Sequence, residues 1–188
     1  MAPSTLPLET RSLLIRHLVP ADAAAMLVLS NEEPSRIWLP SQVYRDHAHA
    51  VVALDYLIGH YSTTADPARG PYVLGIEHRI DGRLLGHVGF SPLDDAVEIG
   101  FSIAQDRQGQ GLATEAVIAA SRWVFESFAL ERILGVASSA NVGSKRVLER
   151  AGFVHEREQT MNFQGTEQTV HVYVLARDTC LGDKRLQP

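Results

Sequence analysis

The sequence predicts an α/β fold with a mixed, mainly antiparallel sheet covered by helices on both faces. Three observations support this: three strand-like runs follow one another closely, a strand–helix–strand step comes after them, and helical patterns flank both regions. The 188 residues suit one domain with a full core, so we expect a single domain over 1–188.

Charge and composition exclude several classes of protein. Seventeen Lys and Arg against 22 Asp and Glu give a net charge of −5, which does not favour nucleic acid. The longest apolar stretch, Ala23–Leu29, is too short to cross a bilayer, and residues 1–8 do not look like a signal peptide. We therefore expect a cytoplasmic protein with neither nucleic acid nor membrane as a partner. The single cysteine, Cys180, is interpreted as a small hydrophobe or an incidental thiol.

The first half of the chain alternates strand and helix signals. Residues Ser12–Leu18 predict a strand that ends before Pro20, and Asp22 is then placed to cap a helix over Ala23–Ser30. From Asp46 to Tyr61, apolar residues recur at spacings of three and four, which predicts a second helix with one apolar face.

An antiparallel meander is predicted next, with strands over Tyr72–Ile80, Leu84–Phe90 and Ala96–Ala104. Asp81-Gly82 between the first two runs is a hairpin signal.

A β-α-β step follows the meander. A helix from about Ala113 to Phe128 precedes a strand over Arg132–Ala137, and the connection is expected to be right-handed. A last helix begins near Val142 and ends at Gly152, with Phe153 placed to pack back on it. A final strand over Val170–Ala176 completes the sheet.

The loop between the strand ending near Ala104 and the helix beginning near Ala113 carries the main chemical signal. Gly109 and Gly111 let its backbone amides converge at a helix N-terminus, where an anion such as pyrophosphate binds well. The dinucleotide fingerprint fails because Thr114 replaces its third glycine, and no Walker Lys is present. An ordinary tight loop is the alternative interpretation.

The chain resembles the GNAT acetyltransferase superfamily and, within it, the RimJ/RimL-type branch. Gln108-x-x-Gly111-x-Ala113 matches the family's Q/R-x-x-G-x-G/A loop, and the likeness covers roughly residues 10–178. Three further pieces follow the same order: Glu98-Ile99-Gly100-Phe101, Ala113-Thr114-Glu115-Ala116, and Asn141-x-x-Ser144-x-x-x-Leu148-Glu149-x-x-Gly152-Phe153.

This resemblance implies acetyl-CoA as the cosubstrate and splayed strands at Ala96–Ala104 and Arg132–Ala137, with the pantetheine arm in the gap between them. Gly100 fits a close approach of the ligand to the backbone, a sheet bulge being the alternative. The implied coenzyme contacts are Phe101, Ser102 and Ile103 for pantetheine, and Gln108, Gly109, Gln110, Gly111, Leu112 and Ala113 for the phosphates.

Asn141 and Ser144 stand where the last helix begins, so each either caps the helix or contacts the ligand. The resemblance favours a coenzyme contact for Asn141. Many family members carry a tyrosine acid at the position of Leu148, which cannot donate a proton. The resemblance to the RimJ/RimL-type branch implies Ser144 as the substitute.

Glu98 is the leading candidate for the catalytic base, because it lies on the strand beside the expected thioester, where it could act through water with its pKa raised by partial burial; the alternative is a backbone or arginine contact. His87 is a second candidate, with a satisfied or solvent-facing histidine as the alternative. Glu115 in the first helical turn is interpreted as a capping residue that opposes the helix dipole, with a catalytic role as the alternative. No metal is expected, because His47 and His49 point to nearly opposite sides of their helix.

The sequence thus predicts an acetyl-CoA-dependent N-acetyltransferase that moves the acetyl group directly to a primary amine, with the α-amine of a protein or peptide as the first class to consider. Small amines, amino acids or antibiotics are alternative acceptors, and a non-catalytic acyl-CoA sensor is a rival; a nucleotide-binding protein is disfavoured. Trp38, Tyr44 and Tyr61 belong either to the acceptor pocket or to the core. A homodimer is one candidate assembly.

Overall fold

One eight-stranded sheet organises the chain in the computed structural model, which describes residues 5–183. Residues 1–4 and 184–188 of the predicted domain lie outside the described residues. In chain order the strands are β1 (Leu8–Glu9), β2 (Leu13–His17), β3 (Tyr72–His78), β4 (Leu84–Leu93), β5 (Ala96–Ile103), β6 (Arg132–Ser138), β7 (Val154–Phe163) and β8 (Thr166–Ala176). The helices are α1 (Ala23–Ser30), α2 (Glu33–Trp38), α3 (His47–Thr63), α4 (Leu112–Ser127), α5 (Val142–Arg150) and α6 (Arg177–Gly182).

The strands stand in the order β1-β2-β3-β4-β5-β6-β8-β7. β5 and β6 are parallel and joined through α4, whereas the other neighbouring pairs are antiparallel. The prediction of a mixed, mainly antiparallel sheet is therefore confirmed.

Helices cover both faces of this sheet. On one face, α4 buries Ala116, Val117 and Val124 completely in a cluster that includes Phe90 and Ile133. On the other face, α1 and α3 pack in a separate cluster that contains Met26, Ala50 and Leu54. Burying apolar area on both faces stabilises the three-layer arrangement that the sequence predicts.

Several local signals are confirmed. Gly152 has a φ of +88°, and the Phe153 amide donates to the Leu148 carbonyl at 3.0 Å, which is the expected end of α5. Gly82 has a φ of +67° in the turn between β3 and β4.

The sequence did not predict β7, and it predicted β8 from Val170 rather than from Thr166. β7 is the outermost strand of the sheet and is mostly exposed, so it lacks the apolar alternation that marks a half-buried strand. Its hairpin turns through Gln164 and Gly165, which have φ values of +54° and +86°. The short helix α2 was also missed.

The predicted capping of α1 by Asp22 is wrong. Its carboxylate instead accepts the Val19 amide at 2.8 Å and pairs with Arg16, whose Nε contacts Glu77 at 2.7 Å. Burial opposes ionisation of Asp22, but the hydrogen bonds from Arg16 and Val19 outweigh it and lower the pKa of Asp22. These contacts join β2, β3 and the start of α1.

Cys180 behaves as a buried hydrophobe. It is 1% exposed, and burial raises the pKa of its thiol to about 11. In residues 5–183, no helix has the length and apolar character needed to cross a membrane.

Candidate active site

A gap opens where β5 and β6 separate, as the splayed-strand prediction requires. The two strands pair only at Glu98/Leu134 and Ile99/Gly135. β6 stays paired with β8 up to Ser138, so the far half of β5 has no strand on its β6 side. The sheet is thereby split from Gly100 onwards.

A cleft of about 1470 Å³ occupies this gap and extends over the α2–α3 side of the sheet. Small-ligand sites commonly measure about 300–1,000 Å³, so the cleft has room for two substrates. The sequence-predicted residues that line it are Glu98, Phe101, Ser102, Ile103, Gln108, Gly109, Gly111, Leu112, Ala113, Asn141 and Ser144. Gln110 does not line the cleft, and its side chain reaches the Asp106 carbonyl at 3.5 Å.

The glycine loop adopts a conformation that demands glycine at two positions. Gly109 and Gly111 have φ values of +75° and +83°, and a Cβ added to either would meet no atom within 4 Å. No side chain caps α4, and the Glu115 amide is the first to reach an intrahelical acceptor, the Gly111 carbonyl at 3.0 Å. The preceding amides thus face the open side of the loop, where an anion fits.

The end of β5 presents part of its backbone to the gap. A Cβ built on Gly86 would lie 2.0 Å from the Ser102 carbonyl oxygen, so this carbonyl points toward β4. Backbone direction alternates along a strand, which turns the polar groups of Phe101 and Ile103 toward the gap. The Ile103 carbonyl accepts the Gln108 side-chain amide at 3.0 Å, and this bond ties the glycine loop to β5.

The beginning of α5 forms the opposite side of the gap. Asn141 caps this helix, since its Oδ1 accepts the Ser144 amide at 3.0 Å, and its side chain also lines the cleft. Ser144 is half-buried, lines the cleft and lies one turn before Leu148. Leu148 is 1% exposed and packs so closely on β6 that a Cβ on Gly135 would clash with it.

Glu98 lies at the closed end of the gap, in the last stretch where β5 still pairs with β6. Among the described residues, no hydrogen-bond or ion-pair partner contacts its carboxylate, so the alternative role in an arginine or backbone contact is wrong. Burial raises the pKa of Glu98 to about 7. A carboxylate with such a pKa accepts a proton readily near neutral pH.

His87 lies on the same face of the sheet as Glu98. It pairs with Ser102 across β4 and β5, and its side chain lines the cleft. Burial lowers the pKa of His87 to about 4, which leaves the imidazole neutral at pH 7. A base with so low a pKa is much weaker than Glu98.

The aromatic residues of the first half divide between the cleft and the core. Trp38 and Tyr44 line the cleft. Tyr61 does not: it accepts the Leu18 amide at 3.1 Å, donates to the Val73 carbonyl and stacks on His17. Tyr61 therefore belongs to the packing between α3 and the sheet.

Glu115 is structural, but it does not cap its own helix. Its Oε1 accepts the Thr10 hydroxyl at 2.6 Å and the Ser12 amide at 2.7 Å, which fastens α4 to the β1–β2 turn. The capping interpretation is therefore wrong. No sequence signal marks this contact, because its partners lie more than 100 positions apart.

Sequence reasoning missed the charged residues that complete the cleft: Arg107 beside the glycine loop, and Arg146 and Arg150 on α5. Arg146 and Arg150 are four apart on one helical face, a spacing that could have identified them together. His49 also lines the cleft, and its Nδ1 accepts the Arg45 amide at 3.2 Å.

A group of metal-ligating side chains lies elsewhere. Within the described part of the chain, His155, Glu158 and His171 bring their ligand atoms within 4.8 Å of one another on the β7–β8 hairpin, outside the cleft. His155 and His171 also contact each other directly at 3.1 Å.

Comparison with known proteins agrees with this geometry. Residues 12–154 match the family described as "Acetyltransferase (GNAT) domain". The chain is 28% identical over 176 residues to the uncharacterized N-acetyltransferase YoaA of Bacillus subtilis, covering 90% of this chain and 96% of YoaA. It is 30% identical over 153 residues to the probable N-acetyltransferase YjcK of the same organism, covering 79% and 84% of the two chains.

Solved structures share the fold. A ribosomal-protein-S5-alanine acetyltransferase from Vibrio fischeri superposes with a TM-score of 0.76 at 19% identity, over 93% of this chain and 98% of its own. With the split sheet, the glycine loop and the family match together, the chain belongs to the GNAT family and is an acetyl-CoA-dependent N-acetyltransferase.

Proposed function

We propose that this enzyme acetylates the α-amine of a peptide or protein N-terminus, with Glu98 as the general base and Ser144 as the proton donor to the leaving thiolate. The observation that carries this proposal is the position of Glu98, whose carboxylate lies at the closed end of the gap between β5 and β6 and has no hydrogen-bond or ion-pair partner in the described part of the chain.

The residues of the gap fit acetyl-CoA. Gly100, Gly109 and Gly111 each leave open the space that a side chain would fill. The amides that begin α4 would hold the pyrophosphate, and the backbone of Phe101 and Ile103 would pair with the pantetheine arm. Because the Ser102 carbonyl points toward β4, Ser102 would contribute its side chain rather than its carbonyl. Asn141 would contact the coenzyme through its amide nitrogen, and Gln110 would contribute only backbone.

When bound, acetyl-CoA supplies an activated acetyl thioester, and the protein must supply a neutral amine beside it. Glu98 is about half ionised near its pKa of about 7, so it can take a proton from an incoming ammonium directly or through one water. An α-amine with a pKa near 8 is already about one-tenth neutral at pH 7, whereas a lysine at about 10.4 is neutral in about one molecule in 2,000. A base with a pKa of about 7 can therefore deprotonate an α-amine more easily than a lysine side chain.

Ser144 would relay a proton to the departing sulfur: its hydroxyl gives its own proton to the thiolate and takes one from the nitrogen, which became cationic when the amine added to the thioester. Ser144 lines the cleft one turn before Leu148, which is buried and has no ionisable proton. A hydroxyl is a weak acid, but coenzyme A thiolate is a good leaving group, so this role is expected to contribute modestly.

Thiol release from acetyl-CoA tests the proposed function. The wild-type protein is assayed with N-terminal peptides, N-acetylated control peptides carrying an internal lysine, free amino acids, a polyamine and an aminoglycoside. Acetyl-CoA binding is measured in parallel by calorimetry. We expect binding and turnover with free N-terminal peptides, and no turnover with the blocked ones.

The other outcomes are distinct. Turnover confined to amino acids, polyamines or aminoglycosides would reject the N-terminal acceptor. Binding without turnover on any amine would favour the acyl-CoA sensor.

A further inference from the structure

Helix α3 carries a second apolar stripe that its packing does not explain. Ala50 and Leu54 are fully buried against α1 and the sheet, as an amphipathic helix requires. Val52 and Tyr56, four residues apart, are 67% and 60% exposed and line the cleft. One apolar stripe is enough to pack a helix on a sheet. The second stripe, Val52 and Tyr56, therefore faces the cleft rather than the core.

Helix α2 continues this surface. Ile37 is 54% exposed, Trp38 is half-buried, and both line the cleft. We call Ile37, Trp38, Val52 and Tyr56 the apolar wall. Single exposed apolar residues are ordinary, but a group of them on one side of a cleft marks a binding surface.

The charges of the cleft limit what this wall can hold. Among the described residues, Glu98 is the one carboxylate that lines the cleft. The lining arginines, Arg107, Arg146 and Arg150, lie beside the glycine loop and on α5. A polyamine or aminoglycoside would leave its further ammonium groups without an anionic partner, and desolvating such charges is costly.

We propose that the acceptor carries a single ammonium group next to a large apolar side chain, which packs on the apolar wall while the amine reaches Glu98. This inference rests on the proposed function: the acceptor is then a peptide whose first residue is aromatic or a large aliphatic. The cleft that contains Glu98 is continuous with the wall, so one molecule can contact both.

Peptides that differ only in their first residue test the inference. Phe, Leu, Ala, Ser, Lys and Glu are placed before one constant tail, and kcat/KM is measured at saturating acetyl-CoA. Transferring a large side chain from water to an apolar wall favours Phe and Leu over Ala and Ser by about tenfold or more. The pair 2-phenylethylamine and ethylamine repeats the comparison without a peptide.

Variants of the wall provide the second arm. V52S and Y56S replace exposed residues, so both should fold, and each is expected to reduce the Phe-to-Ala ratio by about threefold or more. The matched control is V28S on α1, because Val28 is 64% exposed and lies outside the cleft. V28S should leave the ratio unchanged.

The outcomes separate this inference from the proposed function. Equal rates for Phe and Ala peptides, or faster turnover of polyamines, would overturn the apolar acceptor; with equal rates the N-terminal acceptor would still stand. Preference for 2-phenylethylamine with no peptide turnover would support the apolar wall and reject the N-terminal acceptor. An unchanged ratio in both V52S and Y56S would also overturn the role of the wall.

Discussion

The two sides of the cleft present different kinds of chemical group to a ligand. The side proposed to bind the coenzyme, here called the coenzyme side, is formed by residues 101–103, the 108–113 loop and the start of α5, and it offers mainly backbone groups and two glycines with positive φ. The apolar wall on α2 and α3 offers side chains on helices of ordinary geometry. A site that binds through backbone groups needs glycines at fixed positions to give the required conformation. A surface that binds through apolar side chains can be formed by many different residues. One side therefore carries a motif and the other does not.

The largest expected effect lies where the two sides meet. E98Q should lower kcat/KM about 100-fold because it removes the base, and it should leave the affinity for acetyl-CoA nearly unchanged. As the proposed base, Glu98 would act when deprotonated, so the wild-type rate should rise with pH through about 7, whereas the rise of E98Q should follow deprotonation of the α-amine near pH 8. Initial rates of thiol release across this pH range provide the measurement.

H87Q is the matched control for this profile. The pKa of His87, about 4, leaves it neutral, so H87Q should keep the rise near pH 7. If E98Q kept the full rate of thiol release and the rise of this rate near pH 7, Glu98 would not be the catalytic base.

A second prediction tests the coenzyme side alone. G111A should weaken acetyl-CoA binding by about tenfold, because an L residue resists a φ of +83° and its methyl group enters the open loop. Calorimetry measures the dissociation constant. G82A is the control, since Gly82 also has a positive φ, of +67°, but lies in the β3–β4 turn away from the cleft. Equal weakening in both variants would mean that the effect reflects folding rather than the loop.

Ser144 is expected to matter less. S144A should lower kcat by about fivefold with little change in KM for either substrate, because it removes a proton donor to a good leaving group. S139A serves as the control, since Ser139 is exposed and does not line the cleft. If S144A instead raises only the KM for acetyl-CoA, the hydroxyl binds the coenzyme and takes no part in the proton transfer.

The smallest effect is on stability. The pKa of Glu98 is about 7 in the folded protein and about 4.5 without burial, so folding becomes less favourable as pH rises through this window. E98Q should therefore be more stable than the wild type at pH 8 by on the order of 1 kcal/mol, after allowing for the partial exposure of Glu98. The difference should vanish near pH 4.5, and chemical denaturation at both pH values measures it. Equal stability at pH 8 would mean that the cleft solvates the Glu98 carboxylate well.

Local signals made part of this site predictable. Gly109 and Gly111 lie two residues apart between a strand and a helix, so their expected role in an anion-binding loop could be predicted from residues close in the sequence. The predicted roles of Asp22 and Glu115 were wrong because their partners lie on other elements of the structure. Each was expected to serve its own helix, but each satisfies partners on other elements: Asp22 binds Arg16 on β2, and Glu115 binds the turn before β2.

By itself, the sequence determined the order of most helices and strands and the glycine loop, because turns, apolar periodicity and backbone conformation depend on residues close in the chain. Its motifs carried the resemblance to the family. Tertiary structure alone decided that Glu98 has no hydrogen-bond or ion-pair partner within residues 5–183, that Tyr61 belongs to the core, and that Val52 and Tyr56 face the cleft. Burial and charge pairing arise between elements far apart in sequence, and a periodic pattern does not state which side of a helix will meet a ligand.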